Sequence, residues 1–96
     1  MCTEYSETLD FFGYMILSAP DFPIEDGMTL TSAFESLLHG VDAVASKMTN
    51  PNAREKLARC REEVNRSISL FATQDISMAL MHLQHAREMF RRSKAL

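Results

Sequence analysis

No lysine or arginine precedes Lys47, although eight aspartates and glutamates do. That absence means a secretory leader is not expected, since one needs a basic segment ahead of its apolar run. The single early apolar run, residues 11–17, instead follows Glu4, Glu7 and Asp10. No run reaches the roughly 18 apolar residues needed to span a bilayer. Cysteine is scarce as well: Cys2 and Cys60 make neither a disulfide framework nor a metal-spaced set. Cys2, near the chain end, is expected to be exposed, and the expected compartment is the reducing cytoplasm. Alternating apolar and polar residues, the mark of a half-buried strand, are missing, and so is any repeat of solenoid period.

What the chain has is helical periodicity in four segments, so the fold class expected is all-α. Across its 96 residues a single helical domain, 1–96, is expected. The first helix is expected over residues 4–18, with Tyr5, Leu9, Phe12 and Ile16 on one stripe and Pro20 ending it. The second begins near Ser32, where Ser32-x-x-Glu35 reads as a capping box and Thr29 is an alternative cap. Its stripe is Leu30, Phe34, Leu37, Val41, Val44, Ala45 and Met48. Asn50 followed by Pro51 reads as N-cap and first turn of the third helix, whose apolar face is Leu57, Cys60, Val64, Ile68 and Phe71. After Thr73-Gln74-Asp75, either Asp75 or Thr73 can cap a fourth helix striped by Ile76, Ala79, Leu83, Ala86 and Phe90. Short links make neighbouring helices antiparallel. The architecture expected is a small antiparallel bundle of four helices, or a three-helix core with the first helix docked across it.

Charge is split along the chain. Residues 1–46 carry −8 and residues 47–96 carry +5, which together give the net −3. Glu55 with Arg59, Glu62 with Arg66 and Glu88 with Arg92 are spaced i, i+4 with the acid first, the favoured order. The basic half is thus largely compensated within itself, and its remaining excess can face the acidic helices. With no nucleic-acid-binding motif and no basic-aromatic platform, a nucleic-acid partner is not expected; nor is a membrane partner.

Three constellations bear on chemistry. His82, His85 and Glu88 fall on successive turns of the fourth helix and are possible metal ligands. Bundle sites normally draw ligands from several helices, and no second helix offers a matching pair. His39 lies near Glu35 and Asp42 on the polar side of the second helix, but no nucleophile, glycine-rich turn or oxyanion hole completes a site. Cys60 has arginine neighbours in sequence, yet its wheel position puts it in the core. Neither an enzyme nor a bound cofactor is therefore expected.

More telling is apolar surface beyond one core stripe. Phe11, Tyr14 and Met15 widen the first helix, and Met78 and Met89 widen the fourth. A helix apolar on two sides is either central in its fold or docked on something else. The connector, residues 19–29, holds Phe22 and Ile24 among Asp21, Glu25 and Asp26. Two residues apart in an extended chain, Phe22 and Ile24 point the same way, to plug the end of the bundle or to form an apolar hook for a basic partner. The function expected is a small non-catalytic protein-binding or regulatory module, a homodimer or bound to another protein, through Phe11, Tyr14, Met15, Phe22, Ile24, Met78 and Met89. The alternative is a small-ligand or metal-binding bundle using His82, His85 and Glu88.

Overall fold

The computed structural model describes residues 2–94. It contains α1 (Tyr5–Ser18), a single 3-10 turn (Ile24–Asp26), α2 (Leu30–Lys47), α3 (Pro51–Ala72) and α4 (Ile76–Ser93). The caps explain the boundaries. Thr29, not Ser32, is the N-cap of α2: its hydroxyl accepts from the Ser32 N–H at 3.0 Å, and the Ser32 hydroxyl accepts from the Thr29 N–H at 3.0 Å. Serine thus takes the reciprocal place that glutamate usually holds in a capping box, which moves the helix start ahead of Ser32. Asn50 caps α3 through its side chain, accepting from the Asn52 N–H at 2.8 Å, with Pro51 at the first position.

The turn between α3 and α4 closes through backbone groups. The Asp75 N–H donates to Leu70 O (2.9 Å) and the Gln74 N–H to Phe71 O (3.0 Å). This is the Schellman pattern, with Gln74 at φ 63° where glycine is usual. Asp75 occupies the N-cap of α4 without a side-chain bond, and the Thr73 hydroxyl donates back to Leu70 O. Neither expected cap therefore acts through its side chain.

Each helix runs antiparallel to its neighbours. Phe34 meets Phe71 and Asp42 meets Arg61 across α2 and α3. Ser67 meets Ala79 and Cys60 meets Ala86 across α3 and α4. Tyr5 stacks on Phe90 with ring centroids 5.1 Å apart, and Phe12 lies 5.5 Å from the same ring, which places α1 against α4. Glu4 pairs with Lys47 at 3.2 Å, α1 against α2. The result is an up-and-down ring of four, with α1 a full member and not a brace across three others. Phe12, Met15, Leu37, Val41, Leu57, Val64, Leu83 and Phe90 fill its centre. Among the described residues no helix is long and apolar enough to cross a membrane.

Cys2 is buried, contrary to the exposure expected of it. His39 Nδ1 lies 2.7 Å from Cys2 O, and the Cys2 N–H donates to the Ser36 hydroxyl at 3.3 Å, so the leading segment is tied onto α2. Gly40 makes this possible. A Cβ there would stand 2.7 Å from the Cys2 Cβ and 2.8 Å from the Thr8 Cγ2, closer than carbon atoms approach. The opposed charges of the two chain halves meet in Lys47–Glu4 and Arg61–Asp42, and Lys94 sits 4.9 Å from the Tyr5 ring centre. Glu55–Arg59 and Glu88–Arg92 form as expected; Glu62 and Arg66 do not pair. All these ion pairs are exposed, and pairs of that kind contribute little to stability.

Two substitutions test this account by thermal and urea unfolding. Gly40→Ala should lower stability by about 1–3 kcal/mol, the usual cost of overfilling a tight contact. Gln74→Gly should raise it by about 1 kcal/mol, because a side chain at positive φ is strained and glycine there is not.

Candidate functional site

The surplus apolar sector of α1 is partly covered by the connector. Phe11 and Tyr14 stack at 5.6 Å, and Phe22 stacks on Tyr14 as well, also at 5.6 Å. The Tyr14 hydroxyl donates to Asp26 Oδ2 at 2.6 Å, fastening the 3-10 turn to the helix. Gly27, at φ 61°, closes that turn by donating to Ile24 O. Phe11, Tyr14 and Phe22 are thereby half-buried within the chain, and Met15 is fully buried, which removes it from the set of surface candidates.

Phe22 and Ile24 part company. The extended geometry ends at Pro23, Ile24 opens the turn, and its side chain faces outward at 96% exposure. It neither plugs the bundle nor shares the direction of Phe22. Leu17 is similarly bare at 89%, Met78 is exposed at 40%, and Met89 is half-buried against the core.

A groove not anticipated from the sequence lies between α2 and α3. Phe34 and Phe71, buried and edge-on at 5.8 Å, line it together with half-buried Leu30, Leu38 and Ile68 and the exposed Thr31, Glu35 and Ala72. Its volume is about 320 Å³. The available signal was Leu38. It follows Phe34 by four and Leu30 by eight, extending a second apolar row beside the stripe that runs on to Met48.

The groove opens at the end of the bundle that also carries the connector, the α3–α4 turn and Met78. The two stretches that build this end, residues 13–38 and 67–82, contain Asp21, Glu25, Asp26, Glu35 and Asp75 and no lysine or arginine. None of the five acids forms an ion pair among the described residues. Descending α3 from this end, the first cations are Arg66 and Arg61, and Arg61 is engaged by Asp42 at 3.0 Å. The groove therefore has one acid, Glu35, in its lining and lies at an end of the bundle that carries four more.

The histidine cluster also differs from its expected composition. Glu88 turns away toward Arg91 (2.5 Å) and Arg92 (3.0 Å), and these partners, Arg91 first, hold its carboxyl down at about 2. The carboxylate beside the histidines is Glu63 of α3, with Oε2 2.5 Å from His82 Nδ1. The His82 and His85 rings stand edge-on with centroids 6.0 Å apart. Sequence spacing along one helix could not reveal Glu63, since it arrives by the α3–α4 register. Cys60 is buried and donates to Ala86 O at 3.2 Å; burial, then the Glu63 charge, pushes its thiol up to about 12, so it is no nucleophile. Among the described residues no buried side-chain polar atom lacks a hydrogen-bond partner, so no orphaned group in the interior marks a ligand site.

Comparison with known protein families, with curated proteins and with solved structures finds no match to the chain.

The clasp on the connector can be titrated. Donation to Asp26 comes first, then partial desolvation and the charges of Asp26 and Glu25, in raising the Tyr14 phenol from about 10 to about 12. A raised folded value means the contact stabilises fully below pH 10 and is lost as the pH rises toward 12. By NMR, Asp26→Asn should return the Tyr14 titration toward 10; an unchanged titration would show that the two side chains do not meet.

Proposed function

We propose that the chain is a small non-catalytic protein-binding module whose α2/α3 groove takes the apolar face of a partner helix flanked by lysine and arginine. The observation that carries this reading is the groove itself, an open apolar channel with Glu35 in its lining, at an end of the bundle whose two stretches, residues 13–38 and 67–82, hold four further acids and no lysine or arginine. Apolar side chains entering it supply affinity through the area they remove from water. The acidic end selects basic flanks and accelerates the encounter. Both cysteines are unpaired thiols, which accords with a reducing cytoplasm.

A second reading, the homodimer, is favoured by a separate observation. Ile24 and Leu17 are almost bare, and Ile24 is held on a turn at the same end as the groove. Two copies related by a two-fold axis would each seat Ile24 in the other's groove. This arrangement brings two acidic ends together, so salt screening would strengthen it, whereas salt would weaken a basic partner.

Fluorescence anisotropy with a synthetic amphipathic helix, bearing a Leu/Phe face and Lys/Arg flanks, tests the first reading. Thr31→Arg and Glu35→Lys, both at exposed positions, should weaken binding by about tenfold or more, near 1.4 kcal/mol, with the helical circular dichroism intact. Equal binding of a peptide with Glu/Asp flanks, or no binding, would refute it. Light scattering over a dilution series, at low and high salt, reads the second. A monomer mass throughout would discard the homodimer.

A further inference from the structure

We infer that Glu63, His82 and His85 form a site for one zinc-class divalent ion, bridging α3 and α4, with a fourth position open to solvent. The site lies away from the groove and does not depend on the reading given to it. One nitrogen from each histidine and one Glu63 oxygen all lie within 4.8 Å of one another. His82 and His85 are three residues apart on α4, so they project from one face. Glu63 comes from the facing helix. Its height is fixed by two side chains on the same seam: Cys60 donating to Ala86 O at 3.2 Å, and Ser67 donating to Ala79 O at 2.8 Å.

The geometry is close to what an ion requires. Bonds of about 2.0–2.2 Å in a tetrahedron set the ligand atoms about 3.4 Å apart. The Glu63–His82 contact, now 2.5 Å, must open by about 1 Å, and the widest separation, within 4.8 Å, must close by at most about 1.4 Å. Side-chain rotation suffices for both. His85 is exposed and has no hydrogen bond among the described residues, so it is free to swing. His82 and Glu63, with side chains 14% and 20% exposed, already hold each other in place.

Chemistry narrows the ion. Two imidazoles with one carboxylate suit zinc and its late first-row neighbours, whereas magnesium and calcium take oxygen sets. Cys60 is not a ligand, since its thiol points into the interior toward Ala86. Glu88 is not one either, being engaged by Arg91 and Arg92.

Isothermal titration with zinc chloride, paired with thermal unfolding, decides the matter. One ion per chain should bind and raise the melting temperature, with no response to magnesium. His85→Ala, at an exposed position that the fold does not need, should cut the affinity at least tenfold, and Glu63→Gln should do the same. Glu88→Gln should leave it unchanged. The site is overturned by absent zinc binding, by affinity unaffected in His85→Ala, by loss in Glu88→Gln, or by one ion per two chains with a doubled mass in light scattering.

Discussion

The close seam between α3 and α4 is the contact on which the remaining geometry depends. Small residues, Cys60 and Ser67 on one side and Ala79 and Ala86 on the other, are fully buried there and let the two helices approach closely. The thiol and hydroxyl on α3 each donate to a carbonyl of α4, so the register is set by directional bonds as well as by packing. A slip of one residue along the seam would strand both donors in the interior, each costing about 1–3 kcal/mol. The same register delivers Glu63 to His82 and presents Phe90 to the rings of α1.

Around that seam the molecule is polarised. One end gathers exposed apolar side chains and five acids that form no ion pair among the described residues; Lys47, Arg91, Arg92 and Lys94 lie toward the other. Net charge alone, at −3, hides this. The ion pairs that cross between the two halves of the chain, Glu4–Lys47 and Asp42–Arg61, use two of the eight early acids and leave the groove end untouched. The groove thus lies at the acidic end of the molecule. The histidine cluster is a different kind of feature, made of a few polar groups on the α3–α4 face.

Much of the fold was legible because it is written in local rules. Asn50-Pro51 and the spacing of Leu57, Cys60 and Val64 each mean one thing on a helix, whatever surrounds it. Where the local reading failed, a neighbour distant in sequence had intervened. Cys2 is buried because Ser36, His39 and the missing side chain of Gly40 make a berth for it. Met15 is interior because α1 packs between α2 and α4. Glu88 fitted the histidine spacing, but Arg91 and Arg92, one turn on, hold it away, and the carboxylate that reaches His82 comes from another helix.

The sequence by itself determined that the chain is helical, where its four helices lie, and that the short links after α2 and α3 make α2, α3 and α4 antiparallel in turn. Periodicity, caps and proline act within a few residues, and a helix needs nothing further to declare its apolar face. Only the tertiary structure decided which apolar residues stay outside and which polar groups meet. Ile24 is bare and Phe22 half-buried although they are two residues apart, because a 3-10 turn begins between them and Tyr14 offers its ring to just one. The groove, likewise, exists in neither α2 nor α3 alone: it is the space left when two helices share a core and nothing among the described residues covers their outer flank.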